Sequence, residues 1–600
     1  MIGSRVNVFL ALLAASTSFA VAAEPETQGP AKTAPRTLTP QTELPADPAT
    51  ATVQTAPAEQ TVPDKPGAPA GPRVTVTDLV AIDPSGAGLL SAGSGGFAPS
   101  LWSGSARPAV ASRIAQLPAA PNSPAMQNLT KRVLLTQANP PAGETPPDEP
   151  SFLARRLQRL VANGLIDEAA MLGAQSARTD SFARQAAAEA MLLQGRDADA
   201  CGDGTSLRQS SNDPYWLKLR VFCYLTQNDE QAATLTLNVM RERNIADDAF
   251  YTLADVMMSG GPANVTVPAP SGLHLAMMRK AGASAAVAPL AGWVPGTQLL
   301  AQQFTEPTVR LTATERAALA SLNPIEDLRQ AYQAETFTPD QLDDPEEWAP
   351  KLALARANAL YFRAITARTV PTARAAAFAA ALQRAESQNR FALFATLSAG
   401  IAQQMAPSQE TSWLAPSVTR VLLYAHRDKA AEQWLTVLTS PTDTAAANAL
   451  QVQLGLVRAS AENLARMQSA LTWLGQNALK AGASKDWLME RATREIPLFE
   501  ALGYTIPPDA QWAVSANTTG VVPSGAAAEA LTAIGRSALD GRQGETILNA
   551  LVALGPGGPS RAQGQTVARV VKALIAVGLR DEARALAIES VLGAPVRKSQ

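Results

Sequence analysis

The sequence is poor in the residues that bind metals, with two cysteines and two histidines among 600 residues. The cysteines are Cys201 and Cys223, and the histidines, His274 and His426, lie far from them along the chain. Structural zinc sites use four ligands, mostly cysteine and histidine at short and regular spacings. The spacing in this chain does not fit such a site, and we expect no metal and no cofactor.

Charged residues are also scarce. They make up 17% of the chain, and the formal net charge is −2. A protein that binds nucleic acid needs a basic surface to neutralise phosphates, and nothing in this composition indicates one. The alternation of β-branched and aromatic residues that is typical of strands is rare, whereas alanine-rich segments dominate. The composition therefore predicts an all-α protein without a nucleic-acid partner.

Familiar catalytic motifs are absent as well. The chain has no G-x-S-x-G, no H-E-x-x-H and no paired arrangement of cysteine and histidine. His426 stands beside Arg427 and Asp428, which would suit a general base. A histidine in the turn of a helical hairpin, however, more often interacts with the C-terminal end of a helix. His274, which precedes two methionines, is interpreted as a packing residue. We predict that the protein is not an enzyme and has no catalytic residues.

Residues 1–23 have the composition of a secretory signal peptide. Arg5 supplies a positive charge, residues 8–15 are apolar, and small residues offer a cleavage site after Ala22 or Ala23. An uncleaved membrane anchor is the alternative, but the apolar stretch is well short of the ~20 residues that span a bilayer. No later segment approaches that length. We expect a periplasmic protein whose mature chain has no integral membrane segment, with peripheral association with the envelope left open.

Export bears on the two cysteines, because an oxidising compartment favours a disulfide between Cys201 and Cys223. The residues between them include a Gly- and Asn-rich stretch that is the least structured part of its neighbourhood. Closing this loop would stabilise the fold by about 3 kcal/mol on the chain-entropy estimate. The alternative is two separate buried thiols. We predict the disulfide.

Two segments of different composition precede the regular helices. Residues 24–75 are rich in Pro, Ala and Thr and have few large apolar side chains. Such a segment cannot bury enough surface to offset its ordering entropy, which predicts a disordered Pro-rich linker. Residues 76–150 alternate short helices with Gly/Pro loops. Within them, Ser123 is a natural N-cap for a helix at 124–136.

Helical hairpins are predicted at residues 151–260. Apolar residues recur at helical spacing, and a turn residue ends the first helix of each pair, at Gly164, Gly195 and Asn228. These turns are 31 and 33 residues apart. The period is that of stacked two-helix repeats.

The turns carry a family resemblance. A Gly or Asn turn followed by an Asp/Glu-Ala step in the second helix is the shared pattern, and residues 574–586, LIAVGLRDEARAL, match residues 160–172, LVANGLIDEAAML. These segments resemble tetratricopeptide repeats, which implies an α-solenoid of helical hairpins. The chain as a whole is similar to Ala/Pro-rich exported proteins of Gram-negative bacteria, a similarity of composition that implies no function.

The remaining segments are divided by proline. Prolines interrupt residues 261–348, which predicts a connector of short helices, and the continuity of the solenoid across it is left open. Helical repeats resume at residues 349–503. A Pro/Gly-rich linker follows at 504–525, and C-terminal helical repeats occupy residues 526–600.

These observations favour a non-enzymatic, exported scaffold that binds protein partners in the cell envelope. The alternative is a peptidoglycan-binding or peptidoglycan-cleaving cell-wall protein, because exported helical solenoids also occur in lytic transglycosylases. Such an enzyme needs a catalytic glutamate in a hydrophobic cleft. The Glu-Ser helix start and the Gly-Leu-Met-Gln stretch of that family are absent. The sequence does not locate the binding residues.

Overall fold

The structure, a computed structural model, divides the chain into two units, Met1–Leu79 and Val80–Gln600. Two predicted segments, the signal peptide at 1–23 and the linker at 24–75, lie outside the residues that it describes. Every contact reported below lies within the second unit. The described residues are 83–146, 148–176, 180–206, 213–261, 265, 267, 269–283, 290, 293–294, 306–440, 443–508 and 523–594.

The described residues form an all-α structure in which consecutive helices pack against each other. Within these ranges, strand-like pairing is limited to two isolated bridges, Leu90 with Thr136 and Ala106 with Ala142. The predicted fold of helical hairpins is therefore confirmed. None of the described helices is both long enough and apolar enough to cross a membrane. The helices are α1 (Arg107–Gln116), α2 (Pro124–Leu135), α3 (Phe152–Ala162), α4 (Ile166–Ser176), α5 (Ser181–Leu193), α6 (Asp197–Ser206), α7 (Pro214–Thr226), α8 (Glu230–Glu242), α9 (Asp248–Ser259), α10 (Gly272–Lys280), α11 (Pro307–Leu319), α12 (Ile325–Ala334), α13 (Pro339–Asp343), α14 (Pro345–Trp348), α15 (Leu354–Ala367), α16 (Pro371–Ser387), α17 (Phe391–Gln404), α18 (Ala415–Tyr424), α19 (Asp428–Leu435), α20 (Thr444–Val457), α21 (Ala461–Asn477), α22 (Lys485–Ala501), α23 (Ala526–Leu539), α24 (Gln543–Leu554), α25 (Gly564–Ala576) and α26 (Arg580–Gly593).

The predicted hairpin turns lie where the sequence places them. Gly164, Gly195 and Asn228 have φ angles of 79°, 77° and 59°. This left-handed conformation ends a helix and is open to glycine and, at small cost, to asparagine. The predicted N-cap at Ser123 is also confirmed, because its hydroxyl accepts a hydrogen bond from the N–H of Met126.

A disulfide joins Cys201 of α6 to Cys223 of α7, with 5.6 Å between the two Cα atoms. It therefore links two helices that are consecutive in the array. Both cysteines are buried in the apolar core that also contains Trp216 and Leu219.

Prolines in the middle of the chain begin helices. Pro307, Pro339, Pro345 and Pro371 each occupy one of the first positions of a helix. Proline costs little there, because the N–H that it lacks would have no partner inside the helix. The described part of residues 261–348 contains α10 to α14. The segment boundaries drawn from the sequence stay predictions.

The first helices of the second unit pack against its last helices. α1 contacts α24, and α2 contacts both α24 and α26. The approach is close: the N–H of Gly544 donates to the carbonyl of Leu101 at 2.9 Å. A Cβ on Gly544 would come within 2.5 Å of the Trp102 ring, so glycine is required at this contact. The helical array is thus joined at its ends.

A buried arginine fixes the segment that precedes α1. The side chain of Arg156, on α3, is 1% exposed. Its guanidinium donates to the carbonyls of Leu134 and Thr136 at 2.8 and 3.2 Å, and to those of Ser85 and Ala87 at 3.1 and 2.7 Å. Burial lowers the pKa of Arg156 to about 10, so the group stays charged at neutral pH. It ties the C-terminal end of α2 to the start of the described chain.

Candidate functional site

An open cavity of about 740 Å³ lies beside the contact between α2 and α26. Five parts of the chain supply its walls: the start of α2, α12, α17, the turn between α18 and α19, and α26. We call it the closure cavity. Ligand pockets in proteins commonly measure about 300–1,000 Å³. The closure cavity is therefore the candidate site in the part of the chain that the structure describes.

Its walls combine apolar and charged side chains, the combination that ligand sites use for affinity and orientation. The apolar lining residues are Pro124, Ile325, Ala399, Tyr424, Ala425, Ala585 and Ile588. The remaining lining residues are Arg329, Thr396, Gly400, His426, Arg427, Asp581, Arg584 and Glu589.

The residues around the start of α2 hold the closure cavity together. Glu589 of α26 accepts hydrogen bonds from the hydroxyl of Ser123 and from the N–H of Ala125, the latter at 2.8 Å. The side-chain amide of Asn122 donates to the carbonyl of Asn389, just before α17. This short stretch therefore bridges the last helix and the middle of the array.

Burial raises the pKa of Glu589 to about 7. The hydrogen bonds from Ser123 and Ala125 favour the carboxylate, but they do not cancel the cost of removing its charge from water. Near neutral pH the group therefore exchanges between its charged and neutral forms.

The arginines of the cavity differ in their partners. Arg329 forms an ion pair with Glu326, one turn earlier on α12. Arg584 and Arg427 have no carboxylate within the 4.0 Å that defines an ion pair, among the residues that the structure describes. The exposed carboxylate of the lining is Asp581. The lining thus contains two arginines without an acidic partner and one exposed carboxylate.

A hairpin turn brings His426 into the cavity wall. The residue has a φ of 55°, and its N–H donates to the carbonyl of Leu423 at 3.1 Å. The prediction that this histidine lies in a hairpin turn at a helix C-terminus is confirmed. The left-handed backbone turns the chain sharply, so that His426 and the exposed Arg427 both line the cavity.

A second cluster contains the residue types of a serine hydrolase. The hydroxyl of Ser271 lies 2.9 Å from Nδ1 of His274, and Nε2 of His274 lies 3.2 Å from both carboxylate oxygens of Asp247. Burial alone would raise the pKa of Asp247, but the bonds from Lys218 and His274 outweigh it and hold that pKa below its usual range. The interpretation of His274 as a packing residue misses its contact with Asp247.

The geometry of this second cluster favours helix capping over catalysis. Ser271 is the N-cap of α10: its hydroxyl accepts from the N–H of His274, and its own N–H donates to Nδ1 of His274. Acyl transfer would also need free N–H groups for an oxyanion. At this helix start, the N–H of Gly272 already donates to the carboxyl group of Glu189. An acidic group thus occupies the place that an oxyanion would take.

Sequence reasoning located some of these residues and missed others. His426 and Arg427 were singled out, and both line the closure cavity. Cys201 and Cys223 are brought together, but outside the cavity. Arg584 lies in the repeat-like stretch 574–586 and Glu589 just after it, but neither is marked there as a binding residue, because the repeat pattern specifies helix packing. No group of three or more His, Cys, Asp or Glu side chains in the described ranges is placed to hold a metal ion.

Comparisons with known proteins assign this chain to no family. No protein-family model and no curated protein matches it. Among solved structures, it is similar to the crystal structure of a pentatricopeptide repeat protein from maize, with 12% identity over 74% of this chain and 68% of that chain and a TM-score of 0.14. A likeness at that TM-score supports no conclusion about fold or function. The all-α fold rests on the helices described above, and the similarity to exported proteins of Gram-negative bacteria stays a prediction.

Proposed function

We propose that this protein is exported and acts in the cell envelope as a non-enzymatic helical-repeat scaffold that binds a protein partner. The composition of residues 1–23 supports export. The closure cavity supports binding, and it is the observation on which this proposal depends. An accessible recess of about 740 Å³ with apolar and charged walls is suited to a segment of a partner.

The mature protein is expected to begin at Ala23 or Glu24. The reason is that small residues precede both positions and follow an apolar stretch of the length that signal peptides have. N-terminal sequencing of the protein from the periplasmic fraction of a Gram-negative host determines the first residue of the mature chain. A Leu10→Arg variant, which interrupts the apolar stretch, serves as the control and should keep its leader. Full-length protein in the membrane fraction would instead indicate an uncleaved anchor.

Gly400 offers a way to fill the closure cavity. It lines the cavity, and a Cβ at this position would meet no other atom within 4 Å. Gly535, on α23, is also exposed in a helix, has an equally open Cβ position, and lies outside the cavity lining. Tryptophan also has a higher helix propensity than glycine, by roughly 0.5 kcal/mol, so neither substitution should weaken the fold.

Gly400→Trp is expected to abolish capture of the partner, because the indole occupies the space that the partner segment needs. Cross-linking in cells, followed by mass spectrometry, compares this variant with the wild type and with Gly535→Trp. Both of the latter should capture the same partner protein. Retention of that partner by Gly400→Trp would show that the closure cavity is not the binding site. If no protein partner is captured, and the wild type binds isolated sacculi while Gly400→Trp does not, the cell-wall alternative would be favoured.

A further inference from the structure

We infer that the segment received by the closure cavity is a short acidic peptide whose carboxylate is held by Arg427 and Arg584. This inference rests on the proposed function and specifies the chemistry of its ligand. It is carried by the charges of the cavity wall, by the way in which each arginine is held, and by the apolar surface beside them.

The positive character of the cavity is local. The chain as a whole has a formal net charge of −2, so an excess of arginine is not a general property of its surface. Arg329 is neutralised by Glu326, and Glu589 is engaged by Ser123 and Ala125. What remains for a ligand is Arg427, Arg584 and the single exposed carboxylate of Asp581.

The two arginines are held in complementary ways. Arg584 donates through Nη2 to the carbonyls of Leu456 and Val457 at the end of α20. These bonds engage Nη2, which belongs to both two-bond edges of the guanidinium, so that Nη1 and Nε can each donate only a single hydrogen bond to a ligand. Arg427 is exposed and extends from the turn that His426 creates. A carboxylate can take two parallel hydrogen bonds from the free guanidinium of Arg427 and a single one from the fixed guanidinium of Arg584.

The apolar part of the wall indicates a peptide as the carrier of this carboxylate. Ile325, Ala585 and Ile588 line the same space as Arg584. A free carboxylate ion would leave them in contact with water, whereas a peptide covers them with its neighbouring side chains and gains the hydrophobic contribution. Asp581 lies three residues before Arg584 on α26, where it disfavours a second negative charge. The expected segment therefore has one carboxylate flanked by apolar residues.

The test uses short peptides selected from a displayed library for binding to the wild-type protein. Each peptide is compared with a copy in which glutamine replaces glutamate. Fluorescence anisotropy measures their dissociation constants. The glutamine copies are expected to bind about tenfold more weakly, the loss typical of one charge-assisted hydrogen bond. Arg427→Glu should weaken the binding of the acidic peptides by at least the same factor. The matched control is Arg580→Glu, which makes the same charge change at an exposed residue of α26 outside the cavity lining.

The outcomes separate this inference from the proposed function. The selected peptides could be neutral or basic, bind Arg427→Glu as tightly as the wild type, and fail to bind Gly400→Trp. That result would overturn the acidic-peptide inference and leave the scaffold proposal standing. Selected peptides that bind Gly400→Trp as tightly as the wild type would show that the closure cavity is not the peptide site. Competition by succinate at the same concentration as the peptide would also overturn the inference, because a small dicarboxylate would then suffice.

Discussion

Arg156→Met is expected to lower the free energy of unfolding by about 4 kcal/mol. Methionine keeps the length and the apolar stem of the side chain but removes every N–H donor. Four main-chain carbonyls, of Leu134, Thr136, Ser85 and Ala87, lose their guanidinium partner. An unsatisfied buried polar group costs about 1–3 kcal/mol. The variant also avoids burying a positive charge, which offsets part of the sum and keeps the net loss near 4 kcal/mol.

The neighbouring residue supplies the control for this prediction. Arg155→Met makes the same substitution one position earlier, at a half-exposed side chain, and should change stability by no more than about 0.5 kcal/mol. Urea unfolding followed by circular dichroism measures both variants. Hydrogen exchange adds a local readout, because the N–H groups of Leu89 and Leu90 bond to the carbonyl of Leu135 beside the Arg156 site. Equal stability of the two variants would contradict a clamping role for Arg156.

Glu589→Gln is expected to stabilise the protein by about 3 kcal/mol at pH 8 and by less than about 1 kcal/mol at pH 5. The folded protein holds the pKa of Glu589 at about 7, above its ordinary value of 4.5. The folded state therefore binds a proton more tightly than the unfolded state. The contribution of this group to stability is fully present below pH 4.5 and is lost as the pH rises through about 7. Glutamine is neutral at every pH and keeps one donor for Ser123 and one acceptor for Ala125.

The measurement compares the unfolding free energies of the wild type and Glu589→Gln across this pH range. Burial also raises the pKa values of Glu189 and Glu495. Both groups are present in both proteins, so the difference between the two curves isolates Glu589. A constant difference from pH 5 to pH 8 would mean that Glu589 does not exchange its proton there. A variant that is less stable at pH 8 would mean that the ionised carboxylate holds α2 better than the amide does.

The hairpins of this fold could be predicted because their signals are local. Gly164 and Gly195 end helices whose apolar period lies within the preceding dozen residues, and Ser123 caps an N–H only three residues ahead. The closure cavity could not be predicted in this way. Glu589 and Ser123 are separated by 466 residues, and neither sequence neighbourhood specifies the other.

Arg156 illustrates the same limit on a smaller scale. An arginine between apolar residues of an amphipathic helix is usually interpreted as an exposed group whose stem covers the core. Its burial follows from carbonyls that come from two other segments, around residues 85–87 and 134–136. The second cluster is similar, since Asp247 and His274 meet only because α9 and α10 pack together. Helix positions are thus readable from sequence, whereas long-range polar partners are not.

The join between the first and last helices also affects how the chain reaches its native state. Contacts within a hairpin close short loops, whereas the contact between Ser123 and Glu589 closes a loop of several hundred residues and carries a larger entropic cost. Synthesis of the chain starts at its N-terminus, so α1 and α2 are made before the helices α24 and α26 against which they pack. During that interval Leu101 and Trp102, which are buried in the finished fold, are without their partner at Gly544. The docking of these first helices is therefore expected to be the last step of folding, and the interval before it is when the chain is most exposed to aggregation and proteolysis.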